Sequence, residues 1–323
     1  WSSDVCSSDL VLAALGAVGF AVVLAVPSTT WASSTTDQVT VTSAAKSSTA
    51  KKVDLRKAIN QTPTTAAATA NIPAPIYHGE AMVLIHADNN EVLLSHNATE
   101  RLNPASTTKV VTLLTTLLRD GTHLDTLANI TPYAASMEPS VLGVRAGDQV
   151  PLIDVAEGMM VSSGNDAAVV LAQNVSGSIP AFARAMNETA KLAGATDSNF
   201  LNPHGLTEAG HYTTALDLAH IAAYGMRIPM FRDLVADEYF TVPYQNRAPE
   251  TVHTTNFFIR SHYPGANGLK TGYTEAAGEC LIASATRGGQ TLIVVLLNDD
   301  FRWDDAPKLL DYGFKRLGIT SLT

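Results

Sequence analysis

Apolar and polar positions divide the chain into three stretches. Residues 10–26 are uninterruptedly apolar, residues 28–70 are dominated by Ser, Thr and Ala with scattered Lys, and from Ile76 onward apolar residues recur with the periods of strands and helices. Strand-like runs at residues 81–87 and 91–95, split by Asp88-Asn89-Asn90, predict a hairpin. After Pro104, the residues Val110, Leu113, Leu114, Leu117 and Leu118 form an apolar stripe at helical spacing, so a helix is expected from Ser106 to Asp120-Gly121. Further helices are predicted over 152–160, 167–174, 179–192 and 214–224. Strands are predicted over 281–285 and 291–297, joined by Arg287-Gly288-Gly289-Gln290, with a closing helix over 306–317. Strands come from both ends of this region and helices from its middle, which implies an α+β fold whose sheet is built from non-contiguous segments around a helical insert.

The apolar run, followed by Pro27 and small residues up to Ala32, reads as an export signal with cleavage after Ala32; a retained N-terminal membrane anchor is the competing reading. Residues 1–9 carry two aspartates, no Lys or Arg and no initiating Met, and read as a truncation or artefact. The Ser/Thr/Ala stretch lacks the large apolar residues that would offset its ordering entropy, so residues 33–75 are expected to be a flexible linker. Residues 76–323 are the expected catalytic domain, and the chain is expected to work outside the cytoplasm, in the cell wall or on the outer face of the membrane.

Among 323 residues, 46% are hydrophobic and 16% charged, enough apolar content for a sizeable core. A formal charge of −9 argues against nucleic acid as a partner, because phosphate backbones need a basic face. Two cysteines, Cys6 and Cys280, imply no disulfide framework. The nine histidines show no H-E-x-x-H or other close ligand spacing, so no metal and no cofactor is expected. His204, His211 and His220 read as structural, and Met159, Met160 and Met186 as core.

Three short signatures remain, in a fixed order: Ser106-Thr107-Thr108-Lys109, Ser163-Gly164-Asn165 and Lys270-Thr271-Gly272. Residues three apart on a helix share a face, so the Lys109 amine can reach the Ser106 hydroxyl, and the helix N-terminus suits a developing oxyanion. Ser43 with Lys46 and Ser48 with Lys51 repeat the first spacing but lie in the linker, where nothing preorganises them. Ser163-Gly164-Asn165 falls between Met159-Met160-Val161 and an apolar helix, which would hold a polar loop against the core; Ser95-His96-Asn97 matches out of order. Lys270-Thr271-Gly272, followed by Tyr273, leads into a β region. An extended peptide pairing with such an edge would have its carboxylate held by Lys270 and Thr271, while Gly272 lets it approach the backbone.

In this order and context the signatures resemble those of the serine D-Ala-D-Ala carboxypeptidases, the low-molecular-mass penicillin-binding proteins. The matching stretches are 103–109, 162–167, 202–206, 212–218 and 268–274, so the resemblance runs from Tyr77 to about Gly318. It implies the penicillin-recognising serine fold, an antiparallel sheet covered by helices with an α-helical subdomain. It further implies attack by Ser106 on the penultimate D-alanine of a peptidoglycan stem peptide, Lys109 as base and Ser163 as proton relay. Asn165 would bind the substrate amide, and the N–H groups of Ser106 and Tyr273 the oxyanion. β-Lactams should acylate the same serine. DD-endopeptidase activity, a class A-like β-lactamase and a silent wall-binding protein are the alternatives; no Glu-x-x-Leu-Asn run follows Ser163 to supply the β-lactamase water-activating Glu. Two departures stand out. Asn267 occupies a position where many members carry Asp. The sequence stops just past the closing helix, where many continue into a β domain and an amphipathic anchor, so attachment to a membrane would fall to the N-terminal run.

Overall fold

The computed structural model describes residues 72–121 and 123–319. The proposed signal or anchor, and nearly all of the proposed linker, lie outside the described residues. The elements run in chain order as strands β1 (Ala81–His86) and β2 (Val92–His96), then helices α1 (Thr108–Asp120), α2 (Pro132–Ala135), α3 (Leu152–Ser162), α4 (Asn165–Ser176), α5 (Ile179–Leu192), α6 (Ala215–Gly225) and α7 (Pro229–Ala236). A small hairpin follows, β3 (Tyr239–Val242) with β4 (Glu250–His253), then α8 (Phe257–Arg260), β5 (Ala266–Thr274), β6 (Gly278–Arg287), β7 (Gln290–Leu297) and α9 (Arg302–Arg316).

The main sheet is antiparallel, in the order β2-β1-β7-β6-β5. The N-terminal hairpin thus completes a sheet begun at the other end of the domain, and β5 is left at an edge. Its central strands are buried on both faces, which explains why β1 and β7 read as continuous apolar runs rather than alternating ones. Val83, Ile85, Ile282, Ile293 and Val295 face the helical insert, while Met82, Leu84, Leu281, Val294 and Leu296 face Leu309, Leu310 and Phe314 of α9.

Helix α1 packs against α3, α4, α5 and α6. Its first nine residues are all buried, the polar Thr108, Lys109, Thr112, Thr115 and Thr116 included. The sequence pattern suggested an amphipathic helix; enclosure by the insert buries its first two turns all round. Helix α5 matches its predicted bounds, helped by the Ser178 N-cap and Pro180 in its first turn. Helix α9 begins four residues earlier than expected. Helix α7 and the β3–β4 hairpin were not foreseen in the sequence, being short elements without a full period of apolar residues.

Candidate active site

Ser106 lies in a single 3₁₀ turn, Ala105–Thr107, immediately before α1 rather than within its first turn. Ala105 has φ +47°, and this bend delivers the serine to the end of the helix. Two glycines admit the neighbouring chain to the turn. A Cβ on Gly205, which has φ +89°, would lie 1.8 Å from the Ala105 carbonyl oxygen, and one on Gly272 would lie 3.0 Å from the backbone nitrogens of both Ser106 and Thr107. Gly272 lines the cleft, and its missing side chain also lets β5 press against the Ala105–Thr107 turn.

Lys109 is completely buried and its Nζ meets three oxygens: Ser106 Oγ at 2.8 Å, Asn165 Oδ1 at 2.7 Å and the His204 carbonyl at 2.9 Å. The orientation of the Asn165 amide is fixed by its Nδ2, which donates to the Glu138 carbonyl at 2.9 Å. Asn165 Oδ1 and the His204 carbonyl can only accept. A neutral amine has two N–H bonds and one lone pair, so two acceptor-only partners turn the lone pair toward the Ser106 hydroxyl. The site also favours the neutral amine: burial first, then the charge of Lys270, hold Lys109 well below the usual lysine range, against an opposing pull from Asp166. Asn165 is thus engaged with the lysine as well as lining the cleft.

Ser163 caps α3 in the left-handed conformation, φ +62°, which turns the chain sharply into α4 and sets Asn165 at that helix's first position. The same α4 turn anchors the facing rim. The Asp166 carboxylate accepts from the backbone N–H groups of Leu142, Gly143 and Val144, and Asn165 N–H donates to the Ser140 carbonyl at 2.7 Å.

Lys270 and Thr271 lie on β5. Lys270 is almost fully buried, its Nζ donating to the Thr271 carbonyl at 3.0 Å, and burial lowers it from 10.5 to about 7. An incoming carboxylate would reverse that, since an adjacent opposite charge favours the ammonium. Ser106, Ser163, Asn165, Thr271, Gly272 and the exposed Tyr273 all line one cleft of about 450 Å³, with Lys109 and Lys270 buried behind it.

Three further groups at the site were not assigned to it from the sequence. Thr255, just ahead of α8, lines the cleft with its hydroxyl 2.8 Å from that of Thr271. Arg302, at the start of α9, also lines it; its guanidinium pairs with Glu279 at 2.6 Å while its Nε is buried without a partner. The third is the His204 carbonyl. The His204 ring itself is structural as expected: burial pushes it down to about 3, and Nδ1 accepts from the Leu206 N–H. His211 is likewise structural, between Thr108 and the Leu201 N–H. Cys280 is buried, and burial raises its thiol to about 11.

A family model for D-alanyl-D-alanine carboxypeptidase, peptidase S11, matches residues 64–301. The chain belongs to this family. It is 33% identical over 251 residues to the D-alanyl-D-alanine carboxypeptidase DacF of Bacillus subtilis, covering 74% of this chain and 63% of that protein. It is 34% identical over 266 residues to DacC of Escherichia coli, covering 78% and 65%. The chain therefore spans somewhat under two thirds of the length of these two curated relatives. Among solved structures, the Streptomyces K15 DD-transpeptidase superposes with a TM-score of 0.71 at 28% identity, covering 76% of this chain and 100% of that one. That likeness accords with the expected penicillin-recognising α+β fold. The α-helical insert carries the Ser163 loop, as the resemblance implied.

Proposed function

We propose that this chain is a serine D-Ala-D-Ala carboxypeptidase acting on peptidoglycan stem peptides. The Ser106 hydroxyl attacks the carbonyl carbon of the penultimate D-alanine, and its proton passes to Lys109 Nζ. The backbone N–H groups of Ser106 and Tyr273 bind the oxyanion. The C–N bond then breaks, the proton reaches the departing D-alanine amine by way of Ser163, and water hydrolyses the ester on Ser106. Lys270 and Thr271, with Thr255 and Arg302 beside them, receive the terminal carboxylate. The observation that carries this reading is the Lys109 environment, in which two acceptor-only neighbours leave the lone pair for one hydroxyl. On the same reading the enzyme is exported by its N-terminal apolar run, and β-lactams acylate Ser106.

The test is to incubate the full chain and Ser106→Ala with a D-Ala-D-Ala peptide and with labelled penicillin. Wild type should release D-alanine and hold the label, and the variant should do neither; near-normal D-alanine release by Ser106→Ala overturns the assignment. Rapid penicillin turnover would favour a β-lactamase, and cleavage of crosslinked muropeptides an endopeptidase. The likeness to a DD-transpeptidase motivates a second reading, in which an amine rather than water resolves the acyl-enzyme. Adding an amine acceptor separates the two, by the ratio of transferred to hydrolysed product.

A further inference from the structure

A second cavity, of about 470 Å³, lies at the opposite end of β5 and β6 from the cleft. Asn267, Thr286 and Thr291 form its polar wall, at the ends of β5, β6 and β7. That wall is neutral and internally bonded: the Thr286 and Thr291 hydroxyls are 2.8 Å apart, and Asn267 Nδ2 donates to Thr286 Oγ1 at 2.7 Å. Buried Ala223 and Met226 provide an apolar surface beside it.

Charge is confined to the rim. Arg227 and Arg232, at the junction of α6 and α7, are exposed, and each is tethered to a backbone carbonyl: Arg227 Nη2 to Asp88 at 3.3 Å and Arg232 Nη1 to Met226 at 2.9 Å. Neither guanidinium has a carboxylate partner among the described residues, in a chain of formal charge −9. Asp88 is the one acidic residue lining the cavity.

A guanidinium has five N–H donors, and a single tether fixes its direction while leaving the others free. Two such groups beside a cavity of ligand size are donors already ordered for an anion, so little freedom is lost on binding. Planar N–H forks match phosphate oxygens in pairs. We propose that this cavity is a second ligand site, for a phosphate-bearing organic molecule of sugar-phosphate size. Its phosphate is held by Arg227 and Arg232, and its remainder lies against Met226 and the threonine hydroxyls. The site is independent of the reaction at Ser106. A free phosphomonoester and the phosphates of a polymer share this chemistry.

An NMR titration of the full chain at fixed ionic strength distinguishes them, with inorganic phosphate, glycerol 3-phosphate and poly(glycerol phosphate) as probes and acetate as control. Saturable shifts are expected at the amides of Asn267, Thr286 and Thr291. Arg227→Ala/Arg232→Ala should weaken binding tenfold or more, and Asp88→Asn should tighten it. The arginines are exposed, so the double variant should melt with wild type; if it does not, Asp88→Asn supplies the same test with the opposite sign. Preference for glycerol 3-phosphate assigns a free metabolite, preference for the polymer assigns a polymer, and either supports the site. It is overturned by the absence of saturable shifts with every probe, or by equal affinity in the double variant. Acetate binding as tight as phosphate, or shifts gathered at Ser106 and Lys270, would overturn it equally.

Discussion

Asn165 and Lys109 meet at 2.7 Å, the carbonyl end of the amide toward Nζ and its amino end tied to the Glu138 backbone. The amide takes one N–H of the lysine without bringing a charge. Asn165→Asp would place a carboxylate there, and an adjacent opposite charge favours the protonated amine. Activity needs that amine neutral, so it falls as pH drops through the Lys109 pKa. Asn165→Asp should move this acid limb of kcat/KM to higher pH, read from a pH–rate profile. Asn165→Ala, which adds no charge, should lower the rate without moving the limb upward.

Lys270 should cost stability at neutral pH. Its pKa falls from 10.5 to about 7 on folding, so between those values the folded state holds fewer protons than the unfolded one and stability rises with pH. The cost is present in full below pH 7 and gone above 10.5. Lys270→Met should therefore raise Tm most at or below pH 7, with the gain shrinking as pH climbs, while peptide turnover is lost. Melting curves of both proteins across that interval check it; a gain independent of pH would contradict the mechanism.

Close approach at Gly272 makes it sensitive to a single methyl group. In Gly272→Ala the new Cβ meets the Ser106 and Thr107 nitrogens at 3.0 Å, so β5 and the nucleophile turn must part. Acylation by labelled penicillin should slow, but by less than the ~10²-fold loss that accompanies ~1 Å misplacement of a reacting group, because the contact calls for a smaller displacement. Gly205→Ala, at positive φ and against the Ala105 carbonyl, should lower Tm further than Gly272→Ala.

Thr255 should matter to binding of the peptide terminus. Its hydroxyl pairs with that of Thr271 at the cleft wall. Thr255→Ala should cost about tenfold in kcat/KM for a carboxylate-terminated peptide, the size expected for one hydrogen bond to a charged group. The same change should be nearly silent toward a peptide with an amidated C-terminus, which gives the measurement its control.

What the residues announced, and what they concealed, divides along physical lines. Continuous apolar runs revealed β1 and β7, and helical periodicity revealed α5, because each element's environment is regular along its length. The three signatures could be found because motif and boundary coincide: Ser106 at a helix start, Ser163 at a helix junction, Lys270 on an edge strand. Thr255 and Arg302 belong to no motif and reach the cleft only through the packing of α8 and α9. The His204 carbonyl is a main-chain atom, which side-chain identity does not disclose. Gly272 was noticed for its missing side chain, but its packing against the Ala105–Thr107 turn was not legible, being a contact between segments more than 160 residues apart.

Because the first two turns of α1 are enclosed by the insert, Lys109 is carried on the packed side of the site while Ser106, in the turn ahead of the helix, faces the open cleft. The surroundings that hold the amine neutral are thus built from the helical core itself, so a cavity opened in the packing of α1 against α3, α4 or α5 should disturb Lys109 without touching the cleft.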